Sequence, residues 1–256
     1  MGKLIRMDLY RMLKSKTFLI CLLLAFLLAL GNAPFEKLMF TLANSLSTDI
    51  NETFAAEVSL SGILSDPFPL FNLMLALLSL CWFFYADVEN GYIKNIAGQM
   101  PMKGFTVLSK FIAASVHNII FAAAGIIGNL VGTLLVRQLI MDVNVLEVIR
   151  VLALKLLLVQ SICASLLLVV TTFRSKAFGM ILAVVFGMGL SGLIYAGINE
   201  AVKPLFGEGT NIARYMPDTV MAEKPLDTVK SLLVAFGWGA VLLLPAIRIF
   251  DRKDVK

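Results

Sequence analysis

The chain has 256 residues, of which 59% are hydrophobic and only 15% charged, with a net charge of +5 and a mean hydropathy of +0.88. Soluble globular domains carry about 45–50% apolar and about 25% charged residues, so this chain has too little polar surface to cover a water-soluble sphere and reads as an integral membrane protein. Six helices of about 20 apolar residues each take up about half the length, which excludes a large extramembrane catalytic or nucleotide-binding domain.

Residues 2–16 predict an amphipathic helix. Ile5, Leu9, Met12 and Leu13 fall on one arc of the wheel, and Lys3, Arg6, Arg11 and Lys14 on the other. Such a helix lies in the membrane interface with its apolar stripe at the acyl boundary. It either only sets topology, as an anchor, or forms an elbow that also touches a cytoplasmic partner; Ile5, Arg6, Leu9, Arg11 and Lys14 are its candidate contacts. The basic start and the following apolar run also resemble a secretory signal peptide, but a signal peptide needs no amphipathic helix ahead of its core.

Residues 17–33 form the first expected span and residues 68–86 the second. The third and fourth, 105–136 and 146–172, exceed about 20 residues and should tilt or project. The fifth is expected at 178–199 and the sixth at 231–250. Fourteen of the 22 Lys and Arg residues fall on the side of the two termini, and twelve of the 17 acidic residues on the other. The positive-inside rule therefore places both termini in the cytoplasm of a multi-pass cell-membrane protein. The same rule accounts for the basic residues, which flank apolar runs instead of forming a nucleic-acid surface.

Within the spans, polar chemistry is sparse. His117 stands alone in the third span; one histidine cannot form a two-His metal site, and it reads as a hydrogen-bonded interior residue or, less simply, a proton relay. No span centre carries a carboxylate, and Asp87 and Glu89 sit at a cytoplasmic end. Lys155 either snorkels outward or faces a wet cavity. Cys21, Cys81 and Cys163 lie in apolar runs without C-x-x-C spacing and read as small hydrophobes. No phosphate loop G-x-x-x-x-G-K-[ST], metal cluster or nucleophile–base pair is present in the sequence, so the chain is expected to be non-catalytic, without metal or cofactor of its own.

Small residues recur as Ala124, Gly128 and Gly132 in the third span and as Gly179, Gly187, Gly189, Gly192 and Gly197 in the fifth. Such faces let helix backbones approach closely in lipid, either within one bundle or between subunits, and the glycines on more than one face of the fifth span would also suit a moving gate. Aromatic and methionine side chains, which adapt to varied apolar ligands, mark Phe71, Met74 and Trp82 in the second span and Phe186, Met188 and Tyr195 in the fifth as candidates for a translocation path. Core or lipid-facing packing is the plain alternative.

The loop between the second and third spans is the most informative segment. Glu89 and Gly91 precede a short stretch, 92–99, in which Tyr92, Ile93, Ile96 and Ala97 make one apolar ridge at i, i+3, i+4 spacing. Pro101 ends it, because it lacks an N–H and disfavours helix at Met100.

With this loop the chain resembles the type-2 ABC exporter permeases. The resemblance rests on the acidic residue Glu89, Gly91, the short helix, Pro101, Lys103, and Lys110 at the start of the next span. The opening Asp8-Leu9-Tyr10-Arg11 followed by Lys14-Ser15-Lys16 is similar to the family's N-terminal helix, and the short loop 173–177 fits. The resemblance implies an all-α, six-span bundle forming a single permease domain over 1–256, paired as a homodimer or heterodimer and served by two cytoplasmic ATPase subunits that carry ATP and Mg. It assigns coupling to the ATPase to Glu89, Gly91, Ile93, Lys94, Ile96, Pro101 and Lys103. Short relatives with a modest outer loop imply bacterial export of hydrophobic or amphipathic peptides, with small hydrophobic drugs as the alternative. An ATP-independent carrier is the rival class. In the 200–230 loop, which holds Pro204, Pro217 and Pro225, low apolar content makes the re-entrant helices of larger relatives doubtful.

Overall fold

A computed structural model describes residues 2–46, 57–69, 71–89, 104–206 and 211–252. Helices dominate, and the sole ladder among the described residues is a short parallel pairing of β1 (Glu57–Ser59) with β2 (Gln138–Ile140). In chain order the helices are α1 (Gly2–Lys14), α2 (Lys16–Leu46), α3 (Leu60–Leu64), α4 (Asn72–Glu89), α5 (Gly104–Leu134), α6 (Val145–Phe173), α7 (Lys176–Gly187), α8 (Ser191–Phe206), α9 (Pro217–Ala222) and α10 (Thr228–Arg252). A 3₁₀ turn, Ile212–Tyr215, precedes α9. Four helices (α2, α5, α6 and α10) are long and apolar enough to cross a membrane, or five if the bent pair α7–α8 is one span.

The expected segments 105–136, 146–172 and 231–250 coincide closely with α5, α6 and α10. Three others differ, each for a local reason. The helix expected at 17–33 continues to Leu46, a rod of roughly 46 Å, so the first part of the expected outer loop is helical. It passes through Pro34, which leaves the Leu30 carbonyl without its helical donor. The segment expected at 68–86 becomes helical only at Asn72, because Pro67 and Pro69 disfavour helix in the residues that precede them. Its apolar part, Asn72–Asp87, reaches about 24 Å against a hydrocarbon thickness of about 30 Å.

The segment 178–199 is not one straight helix. After Gly187 the chain turns through 91° before α8. Gly189 occupies the left-handed region at φ +71°, a conformation open to glycine without a Cβ penalty. The Met188 and Gly189 amides close the last turn of α7 on the Val184 and Phe186 carbonyls. Downstream, α8 is pinned by its first turns: Tyr195 donates its hydroxyl hydrogen bond to Asp218 on α9 at 3.0 Å, and Ser191 donates to the same carboxylate.

Three pairings build the bundle: α2 with α5, α6 with α10, and α4 with α7. The core lies where α4, α5 and α6 meet, with Leu77, Leu80, Phe121, Ile162 and Leu166 fully buried. Glycines set the close approaches. On α5, a Cβ at Gly128 would overlap the Phe26 carbonyl oxygen and Ala29, and one at Gly132 would overlap the Leu30 carbonyl oxygen. The oxygen that Pro34 frees is thus the one Gly132 packs against. On α7, Gly179 meets Cys81 and Gly187 meets the Met74 backbone. Both glycine faces therefore serve packing within the chain, whereas Gly189, Gly192 and Gly197 have no neighbour within 4 Å of where a Cβ would stand.

Candidate functional site: a buried charge cluster joining α1, α4 and α5

At the end of the bundle that carries the termini, α1 packs against the bundle through an arc that the apolar stripe does not mark. Its fully inward residues are Leu4, Asp8 and Met12, at i, i+4, i+8, while Leu13 and Tyr10 are exposed. A carboxylate thus sits in the middle of the packed face. Ser109 on α5 donates to it at 2.5 Å. One turn on, Arg11 reaches across to Asp87 near the C-terminus of α4 at 2.5 Å, and Lys110 on α5 meets the other Asp87 oxygen at 3.0 Å. Arg11 also lies 3.9 Å from Asp8. Asp8, Asp87, Ser109 and Lys110 are all buried.

Each charge has a physical reason to need the others. A carboxylate at a helix C-terminus and an ammonium near a helix N-terminus both oppose the helix dipole. Asp87, in the last turn of α4, is so placed; Lys110 lies in the second turn of α5, and the two buried charges neutralise each other. Lys110 further donates to the Phe83 and Phe84 carbonyls at 3.0 and 3.4 Å and stands 4.5 Å from the Phe83 ring centroid. Burial raises the Asp8 carboxyl above the ordinary carboxylate range. The Ser109 hydroxyl and the Lys110 and Arg11 cations pull it back, while the Asp87 charge adds to the rise. The cluster ties α1 to the two helix ends that flank the loop 90–103.

Of the coupling residues expected from the sequence, Glu89 is at the end of α4 and exposed; Gly91, Ile93, Lys94, Ile96, Pro101 and Lys103 lie outside the described residues. Of the elbow residues, Arg11 joins the cluster, Ile5 and Leu9 are half-buried, and Arg6 and Lys14 are exposed. The path candidates do not converge on one cavity among the described residues. Met74 packs on Gly187, Tyr195 is buried on Asp218, Phe186 is half-buried, Phe71 and Met188 are exposed, and Trp82 lies beneath Lys176 at 2.8 Å from its ring centroid.

Midway along the bundle, His117 is fully buried. Its Nε2 is 3.2 Å from the Ser79 hydroxyl, and its ring stacks on Phe121 with centroids 4.4 Å apart and meets the Phe18 ring edge-on at 5.4 Å. Asn118 donates to Gln160 and to the Cys163 sulfur at 3.1 and 3.3 Å, and Gln160 donates to the Phe111 carbonyl at 2.7 Å. These contacts are those of a hydrogen-bonded interior, the plainer of the two readings of His117. Groups of His, Cys, Asp and Glu able to hold a metal ion are absent among the described residues.

At the opposite end, Lys155 pairs with Asp66 at 3.3 Å and lines a polar cleft of about 430 Å³ with Asp142, Glu147, Arg150 and Lys224. Its ammonium therefore ends in a polar cleft at this end of the bundle. Arg150 donates to the Leu226 carbonyl at 3.4 Å.

The charge cluster was only half visible in the sequence. Arg11, Asp87 and Lys110 are marked by their positions in the sequence, whereas nothing in it pairs Asp8 with Ser109. The signal was Asp8 itself, a carboxylate at i, i+4 spacing between Leu4 and Met12. Comparison with protein-family models and with curated proteins finds no match.

Proposed function

We propose that the chain is the transmembrane permease subunit of an ATP-driven exporter of the type-2 ABC kind, working as a dimer with two separate ATPase subunits. In this reading α4 and the bent pair α7–α8 complete a six-span topology with α2, α5, α6 and α10, and both termini are cytoplasmic. The observation that carries the proposal is the charge cluster. An N-terminal helix is tied to α4 by the Arg11–Asp87 ion pair and to α5 by the Ser109–Asp8 hydrogen bond, and these are the two helices that enter and leave the loop where the coupling helix is expected. A displacement of that loop by a cytoplasmic partner would pass through Asp87 and Lys110 into α1 and the bundle. Hydrophobic or amphipathic peptides are the proposed cargo, and small hydrophobic drugs the second choice, because adaptable Met and aromatic side chains lie on α4 and α7.

The coupling assignment predicts a specific loss. Replacing both Ile93 and Ile96 with Asp removes the apolar ridge a partner cleft would take up. The doubly substituted protein is expected to retain the thermal unfolding midpoint of the unsubstituted bundle, lose co-purification with its ATPase, and leave cells sensitive to membrane-active peptides. Full transport in that variant would refute the coupling role.

A further inference from the structure

Beside the charge cluster is a second feature, a pocket whose lining includes residues that the export reading places in the elbow, the path and the coupling end of α4. The corner between α1 and α2 and the terminal end of α4 enclose a pocket of about 390 Å³. Arg11 and Lys14 supply cations, Ser15 and Thr17 supply hydroxyls, Trp82 and Phe83 form an apolar wall, and Glu89 stands at the rim. We propose that this pocket binds the headgroup of an anionic phospholipid from the leaflet on the side of the termini. The proposal requires that the helices cross a bilayer, and it is independent of what the chain transports.

Three observations converge on that occupant. The first is depth. The pocket lies where α4 ends and α1 turns into α2, so it is at the level of headgroups whenever α2 spans. The second is charge. Arg11 is already balanced by Asp87, but Lys14 has no carboxylate within ion-pair distance among the described residues and stands 5.0 Å from the Tyr10 ring centroid. Lys176 lies over the ring of Trp82 and likewise has no carboxylate partner there. Lys176 does not line the pocket but lies over its Trp82 wall, and it adds a second cation to Lys14 beside the one lining acid, Glu89. Basic pockets between helices at this face of a membrane protein recognise acidic headgroups. The third is shape. Trp82 and Phe83 suit the glycerol region, and above Thr17 the residues Ile20, Leu24 and Leu27 on α2 are exposed at helical spacing, giving the acyl chains an apolar track. A free phosphate would use the cations but neither apolar element.

The two tryptophans make the test direct. With Trp238 replaced by Phe, Trp82 is the one remaining tryptophan. The protein is reconstituted into vesicles of phosphatidylcholine containing brominated phosphatidylglycerol, brominated phosphatidylethanolamine or brominated phosphatidylcholine, and quenching of Trp82 gives relative binding constants. Each lysine near the surface contributes about fivefold, so phosphatidylglycerol is expected to exceed phosphatidylcholine by about 25-fold. Lys14→Gln with Lys176→Gln should bring that ratio to near one while quenching by brominated phosphatidylcholine stays unchanged, which shows the fold intact. Lys37→Gln, at the other end of α2, should leave the ratio as it was. A native ratio near one, a ratio indifferent to the double substitution, a preference for phosphatidylethanolamine, or loss of the preference on adding millimolar inorganic phosphate would each overturn the assignment to an anionic lipid.

Discussion

Asp87→Leu is expected to destabilise the bundle by about 3–5 kcal/mol, because removing one partner of a buried ion pair leaves the other charge uncompensated. Two cations depend on Asp87: Lys110, with a side chain 7% exposed, and Arg11, with one 28% exposed. Asp8→Asn should behave differently although Asp8 is equally buried. The amide can still accept the Ser109 hydrogen bond, and the substitution removes a charge whose burial is its largest cost. Because the folded Asp8 carboxyl titrates above its ordinary value, its share of stability is fully present at acid pH and is lost as pH rises through the folded pKa. In Asp8→Asn that loss disappears, so the variant should match or exceed the parent at neutral pH. Thermal unfolding in lipid nanodiscs across pH checks both. Equal tolerance of Asp87→Leu and Asp8→Asn would show that the cluster does not hold α1 in place.

Gly132→Ala is expected to cost about 3 kcal/mol, at the upper end of overpacking. The added methyl would overlap the Leu30 carbonyl oxygen, and backbone cannot rotate away as a side chain can. The cost extends beyond the clash. Pro34 has no N–H to give that oxygen, so the close approach of α5 is what shields it, with a Cα–H contact as the available compensation. Gly192→Ala provides the contrast. Nothing lies within 4 Å of where its Cβ would be, and alanine is favoured over glycine in a helix by about 1 kcal/mol. Denaturation in mixed detergent should separate the two variants clearly. Indistinguishable midpoints would mean that α2 and α5 do not pack at Gly132.

Which parts of this fold the sequence disclosed follows from how local their causes are. The helices α5, α6 and α10 were readable because about 20 consecutive apolar residues have few other uses. The glycine face of α5 was readable as a close-packing face, but its partner was not, since choosing between α2 and a second subunit requires three-dimensional placement. The break in 178–199 was obscured because hydropathy ignores backbone dihedrals: Gly187 and Gly189 looked like packing glycines, and only the positive φ at Gly189 shows that one of them turns the chain. The late start of α4 could have been drawn from Pro67 and Pro69, whose restriction of their neighbours outweighs the apolar character of residues 68–71. In α1 the wheel shows a helix and an apolar arc, but not the arc through Leu4, Asp8 and Met12 that packs on the bundle. Apolar periodicity gives no weight to a carboxylate, and Asp8 is inward because Ser109, Arg11 and Lys110, from a helix a hundred residues away and from its own next turn, make a place for it.

ATP hydrolysis measured in proteoliposomes, with this chain reconstituted alone and then together with an ABC ATPase that co-purifies with it, bears most directly on the proposed dependence on a partner for energy. The chain alone should show no hydrolysis above empty vesicles. Adding the ATPase should give hydrolysis that exceeds the ATPase without the chain, that rises with an amphipathic peptide, and that Ile93→Asp with Ile96→Asp abolishes. Hydrolysis by the chain alone, or an ATPase rate indifferent to its presence, would contradict an ATP-driven permease subunit.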